Sequence, residues 1–154
     1  MIKDKVSIII PVYNAEKFIG KTIESVQAQT YKNWEIVIMN DKSTDRSYEI
    51  IKKYAEKDER IKTVNTEKNM GVVKGRNYLT DMSEGEYIAF LDADDYWKED
   101  KLERQISFMK KNGIVISCTE YTRITEEGSP INKVEIKEEI FYVGNFIEYI
   151  QIYG

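Results

Sequence analysis

Five short apolar runs, separated by segments of helix length, constrain this chain more than any other feature. They are Val6–Ile10, Trp34–Met39, Ile61–Val64, Glu86–Leu91 and Ile114–Thr119. The first, Val6-Ser7-Ile8-Ile9-Ile10, is β-branched and nearly continuous, the pattern of a strand covered on both faces. Pro11 is expected to end it. Between the runs, apolar residues recur at helical spacing. Phe18, Ile19, Ile23 and Val26 fall within 15–29, followed by Tyr48, Ile51, Tyr54 and Ala55. Val72, Gly75, Leu79 and Met82 then form a third set, and Leu102, Ile106 and Met109 a fourth. Thr44 or Asp45 is placed to cap the second helix, and Asn112-Gly113 to stop the fourth. Regular alternation of strand and helix predicts an α/β fold: an open, mostly parallel, Rossmann-like sheet with helices on both faces. After Tyr121 the alternation fades, and Asn145 to Tyr153 reads as the start of another helix. The expected organisation is a first subdomain over 1–120 and the beginning of a further, incomplete region over 121–154.

Composition narrows the chemistry. The 154 residues suffice for one core. A net charge of -4, with no basic run of five or more, weighs against sequence-independent binding of nucleic acid. Histidine is absent, which removes Ser-His-Asp and Cys-His triads and every histidine metal site. Cys118 is the one cysteine, so neither an intramolecular disulfide nor a cysteine zinc cluster can form. No apolar run reaches the length of a membrane span, and no signal peptide precedes Val6. A cytoplasmic location is expected, and it is compatible with association at the inner membrane face.

In a doubly wound sheet, ligands bind outside the carboxyl ends of the strands. Three strand ends here carry polar residues to that edge: Tyr13-Asn14, Asn40-Asp41 and Asp92-Ala93-Asp94-Asp95. The first strand-to-helix turn, Pro11-Val12-Tyr13-Asn14-Ala15-Glu16, has no glycine, so neither a dinucleotide fingerprint nor a Walker A loop is present. A nucleotide bound in this layout needs another means of meeting its phosphate charge. A hard divalent cation, Mn²⁺ or Mg²⁺, suits carboxylate and phosphate oxygens. Of the two carboxylates in Asp92-Ala93-Asp94, one can take the ion and the other a ribose hydroxyl. Taken blind, an acidic triplet is more often a solvated turn; its position directly after an apolar run is what favours a site. Lys74 and Arg76 are candidates for diphosphate contact or plain solvated cations. Tyr13 either stacks on a base or packs. Asp45 is assigned to capping.

Taken together, Ile8-Ile9-Ile10-Pro11-Val12-Tyr13-Asn14, Asn40-Asp41-Lys42-Ser43-Thr44-Asp45, Asn69-Met70-Gly71 with Gly75-Arg76-Asn77, and Glu84 to Asp95 resemble glycosyltransferase family 2. The resemblance covers about residues 5 to 120, in the order of that family's N-terminal half. It implies a GT-A fold, a nucleotide-diphosphate-sugar donor and inversion at the anomeric carbon. It would place Pro11 and Tyr13 at the base pocket and Asp41 on the nucleobase. The family's Asp-x-Asp motif falls on Asp92, by the ribose and diphosphate, and on Asp94, the metal ligand. Lys74 or Arg76 matches its basic position near the nucleotide. Two residues depart from the pattern: Lys42 stands where the family usually has glycine, and Asn40 where it often has aspartate.

The family's catalytic base is an Asp or Glu further along the chain, and nothing after Tyr121 matches that motif. The base is accordingly expected beyond Gly154, with these residues binding the donor and transferring little by themselves. A UDP-sugar is the leading donor class; the acceptor is a saccharide, a lipid-linked sugar or a protein, and polysaccharide biosynthesis is the leading context. Two rival readings carry different signatures. A sugar nucleotidyltransferase would be expected to show a glycine-rich loop after the first strand. A non-catalytic nucleotide-sugar-binding module would lack a base altogether.

Overall fold

A computed structural model describes residues 1–119, 121–125, 129 and 131. Four strands and four helices alternate: β1 (Ile2–Val12), α1 (Ile19–Gln27), β2 (Trp34–Asn40), α2 (Ser47–Ala55), β3 (Ile61–Asn65), α3 (Val72–Asp81), β4 (Gly85–Phe90) and α4 (Lys101–Asn112). The sheet order is β3-β2-β1-β4, and every neighbouring pair is parallel. The chain therefore steps outward from β1 to β3 and then returns to the far side of β1. Right-handed crossovers put α1 and α2 on one face and α3 on the other. The packing agrees: α2 meets α1, β2 and β3, while α3 lies against β1 and β2.

The pleat divides the core between these two faces. Ile9, Val37 and Met39 form a buried cluster with Leu79 of α3. The intervening Ile8, Ile10, Ile36 and Ile38 are equally buried and point to the α1/α2 side. Each such side chain contributes about 1.5–3 kcal/mol through burial. The near-continuous apolar runs of β1 and β2 follow from this double coverage.

Two boundaries differ from expectation. β1 begins at Ile2, with a register shift against β4 between Ile2 and Val6 and Asp4 at φ 61°, a bulge that no apolar pattern announces. Pro11 does not end the strand, which continues to Val12. Instead it ends the pairing with β4. Ile9 C=O accepts from Leu91 N–H, whereas Val12 C=O accepts from Asp41 N–H on the β2 side. By alternation Pro11 faces β4, and having no N–H it cannot extend that ladder. α1 is also shorter than the expected 15–29, because Ala15 to Phe18 form a turn closed by Phe18 N–H and Ile19 N–H on Ala15 C=O.

Residues Met1–Lys101 form one compact unit, and a second begins at Leu102, ahead of the boundary expected at 120/121. In α4, Leu102, Ile106 and Met109 are buried, and Ile114 N–H closes the helix on Met109 C=O. The expected fifth strand, Ile114–Thr119, is absent. That segment is irregular with an isolated bridge residue at Cys118, and Val115 is 89% exposed. A β-branched run needs a continuous ladder partner to become a strand, and among the described residues this one pairs only through the isolated bridge at Cys118. The helix expected at 145–153 lies outside the described residues. No described helix is long and apolar enough to cross a membrane.

Candidate functional site

The strand order has one switch point, between β1 and β4, and the ligand crevice of such a sheet lies at its carboxyl side. A cleft of about 250 Å³ occupies that place. Its lining comes from two strand ends: Pro11 within the last residues of β1 with Tyr13, Asn14, Ala15 and Phe18 after it, and Asp92, Ala93 and Asp94 after β4. Pro11 thus serves the cleft twice, by lining it and by ending the β1–β4 ladder. Tyr13 is 55% exposed, a large aromatic face left uncovered.

The acidic wall is held from behind by α1 and the turn that follows it. Thr22 Oγ1 donates to Ala93 C=O at 2.8 Å, between the two aspartates. Ser25 Oγ accepts from Trp97 N–H at 3.2 Å, and Gln29 Nε2 donates to Lys98 C=O at 2.7 Å. Asp95 N–H turns back onto Asp92 C=O. The Asp95 carboxyl is raised above its ordinary pKa, by burial first and then by the charges of Asp94 and Asp92. Asp92 and Asp94 themselves are exposed. Sequence reasoning overlooked Thr22, Ser25 and Gln29. Part of their signal was available: Thr22 and Ser25, at i and i+3 on α1, share a helix face, whereas Gln29 lies past the end of the helix.

The other wall is a set of interlocked loops. Asn14, at φ 50°, accepts on Oδ1 from Thr44 N–H at 2.8 Å, and its own N–H donates to Ser43 Oγ at 3.0 Å. Ala15 N–H donates to Ser47 Oγ and Glu16 N–H to the Asp45 carboxylate. Asp45 also accepts from Ser47 N–H and Oγ; the N-cap of α2 is Arg46, without a side-chain cap bond, so Asp45 braces the helix from one residue before the cap instead of capping it as expected. Burial works against its charge, but the bonds from the Ser47 hydroxyl and the Glu16 and Ser47 N–H groups outweigh this and lower its pKa.

Asp41 is 3% exposed, and its carboxylate is already engaged. It accepts from Met70 N–H at 2.7 Å, Gly71 N–H at 2.9 Å and Thr66 Oγ1 at 3.3 Å. Asp41 thereby ties the 66–71 loop to the end of β2. Neighbouring Asn40 is buried and donates to Asn65 Oδ1 at 2.7 Å, a local packing role. Lys42 sits at φ 63°, which explains why glycine suits this position.

α3 brings the basic candidates. A Cβ on Gly75 would stand 2.6 Å from Met39 Cε and 3.5 Å from Pro11 Cβ, so the missing side chain lets the helix approach the strand ends. Arg76 follows, and its Nη2 meets Asp92 Oδ1 at 2.5 Å. Lys74 is exposed on the same helix. Among the described residues, no three acidic or cysteine side chains converge into a ready-made cation cage. Asp92 and Asp94 fit a cation that completes its coordination elsewhere, as Mg²⁺ commonly does on substrate phosphates.

Strand order and switch-point cleft define a doubly wound α/β protein with a candidate ligand site at its carboxyl edge. The chain belongs to glycosyl transferase family 2, whose profile matches residues 7–153. It is 40% identical over 137 residues to the Escherichia coli UDP-Glc:alpha-D-GlcNAc-diphosphoundecaprenol beta-1,3-glucosyltransferase WfgD, covering 89% of this chain and 53% of that protein. A second E. coli enzyme with the same activity in its name, WfaP, is 44% identical over 116 residues, covering 75% of this chain and 45% of WfaP. This chain spans about half the length of these curated relatives. Among solved structures, S. aureus TarS 1-349 in complex with UDP-GlcNAc aligns with a TM-score of 0.69 and 30% identity, over 87% of this chain and 38% of that one. The mannosyltransferase PcManGT from Pyrobaculum calidifontis, in complex with GDP-Man and Mn2+, shares the fold at a TM-score of 0.68 and 22% identity, over 77% of this chain and 35% of that one. The fold is GT-A, as the sequence resemblance implied.

Proposed function

We propose that this chain is the donor-binding part of an inverting, metal-assisted glycosyltransferase whose donor is a UDP-sugar and whose acceptor is a hydroxyl on a lipid-linked saccharide in polysaccharide biosynthesis. The observation that carries the reading is the cleft itself, with Asp92 and Asp94 facing the Pro11–Tyr13 segment across the switch point. The names of the E. coli relatives and the UDP-GlcNAc bound to TarS support the choice of donor and acceptor class.

In this reading the exposed Tyr13 ring and Pro11 flank the base, while Asp41 serves the base site and holds the 66–71 loop beside it. Asp92 accepts from a ribose hydroxyl. Asp94 holds Mn²⁺ or Mg²⁺ together with the diphosphate, and Lys74 and Arg76 contribute positive charge nearby. A bound divalent cation would offset charge on the departing diphosphate, a Lewis-acid role worth several kcal/mol. The acceptor oxygen bonds to the anomeric carbon from the face opposite the diphosphate, and the carbon–oxygen bond to the diphosphate breaks. The acceptor's proton passes to a carboxylate base worth roughly 10²–10⁴-fold. That base is assigned to a segment outside these 154 residues, so the chain alone binds donor but transfers little.

Calorimetric titration with UDP, GDP and TDP, with and without Mn²⁺, tests the reading. UDP is expected to bind in a metal-dependent way, and Asp94→Asn to weaken binding at least about tenfold while leaving the melting temperature unchanged. Metal-independent binding that Asp94→Asn does not alter overturns the metal assignment. A folded chain that binds no nucleotide overturns the reading as a whole.

A further inference from the structure

The guanidinium of Arg76 is committed to a carboxylate of the cleft. Nη2 lies 2.5 Å from Asp92 Oδ1, with the two side chains 36% and 51% exposed. The Arg76 Cζ also stands 5.5 Å from the centroid of the Phe90 ring, two residues before Asp92 on the same strand end. Its Nε is buried without a hydrogen-bond partner, so this part of the side chain is withdrawn from water. The neighbouring Gly75 brings this turn of α3 against Met39 and Pro11, which fixes where the arginine starts. Two contacts thus direct Arg76 along the β4 end.

We infer that Arg76 is a positioning residue for Asp92, rather than a direct ligand of the diphosphate. This inference rests on the donor-site reading above. An arginine–carboxylate bond is short, strong and directional. With Oδ1 held by Arg76, the Asp92 carboxylate has one preferred orientation, and Oδ2 is left as the acceptor for a ribose hydroxyl. The stacking of the guanidinium beside Phe90 supports that orientation. A lysine would supply charge but not the planar fork, so it would hold the carboxylate less firmly. Lys74, exposed one residue before Gly75, remains the candidate for phosphate contact.

The distinction can be measured because a nucleoside has a ribose but no phosphate. Uridine and UDP are titrated into the wild type, Arg76→Ala, Arg76→Lys, Asp92→Ala and the Arg76→Ala/Asp92→Ala double variant. If the first titrations return another base, the matching nucleoside and diphosphate replace them. Arg76→Ala is expected to weaken uridine and UDP by the same factor, about tenfold, with Arg76→Lys recovering part of it. In the Asp92→Ala background, Arg76→Ala should change neither affinity further, because its effect passes through Asp92. A purely structural disturbance would persist in that background and would overturn the inference. A loss confined to UDP, with uridine unchanged, would also overturn it by showing direct phosphate contact. Failure of the wild type to bind either compound overturns the donor-site reading itself, and is recognisable because no variant is then needed to see it.

Discussion

At the amino end of the strands, Glu35 is 1% exposed and every charge it meets is supplied by the chain. Its Oε1 accepts from Ser7 Oγ at 2.6 Å and Glu84 N–H at 2.9 Å, and Oε2 pairs with Lys5 and Lys62 at 2.9 and 3.0 Å. Lys5 and Lys62 also reach Glu84. At the carboxyl end, by contrast, Asp92 and Asp94 stand exposed on the wall of a cleft. Burial by itself would raise the pKa of Glu35, yet the bonds from Ser7, Lys5, Glu84 N–H and Lys62 hold it at about 2. At the amino end the buried carboxylate is closed within the chain, whereas at the carboxyl end the cleft carboxylates Asp92 and Asp94 remain open to solvent. A buried carboxylate with all its partners in the chain is part of the scaffold, whereas exposed carboxylates gathered at a switch point are what a ligand can use.

The sharpest way to break this contrast is Glu35→Ala. Removing this carboxylate takes from Lys5 and Lys62 one of their two carboxylates and leaves the Ser7 hydroxyl and Glu84 N–H without their acceptor, and about 3 kcal/mol of unfolding free energy should be lost, measured by urea denaturation. UDP affinity of the folded fraction should stay unchanged; a fall in affinity with stability intact would reverse the roles assigned to the two ends. The same network predicts an acid limit. The folded pKa of Glu35 lies below its ordinary 4.5, so its contribution is present above that value. It is then lost as pH falls from 4.5 towards 2, and Glu35→Ala should flatten stability over that window. Gly85→Ala tests the scaffold end by volume. A Cβ there would stand 2.6 Å from Lys5 C=O and 2.8 Å from Ser7 N, backbone atoms that no rotamer change can move. A loss of about 1–3 kcal/mol is expected in the same denaturation assay. The smallest effect belongs to the site end. Lys42→Gly relieves a left-handed residue with an exposed side chain, and should raise the unfolding free energy by no more than about 1 kcal/mol.

The sequence made the scaffold legible wherever burial on both faces left a continuous apolar run, as in Val6–Ile10 and Trp34–Met39. Of the three polar strand ends read from the sequence, those after β1 and β4 line the cleft, whereas Asn40-Asp41 is taken up by neighbouring loops. What was hidden depended on partners distant in the chain. Asp41 reads as a free carboxylate until the 66–71 loop, more than twenty residues on, is seen to bond it. Arg76 reads as a diphosphate contact or a plain solvated cation until Asp92 is seen beside it. Ile114–Thr119 has every local mark of a strand, but strand formation is decided by a neighbour, which no single run contains. The departure at Lys42 was visible as an oddity, and only the backbone angle gave its reason.

The interlocked loops also bear on how such a protein can be recombined. Asn14, Ala15 and Glu16 of the first loop exchange bonds with Ser43, Thr44, Asp45, Arg46 and Ser47 of the second, across the whole of α1 and β2. A chimera joined anywhere between residues 17 and 42 takes half of these pairings from each parent. Residues 13–47 therefore behave as one heritable cassette, and exchanges of the base-side wall between relatives should carry that cassette whole, with splice points placed outside it.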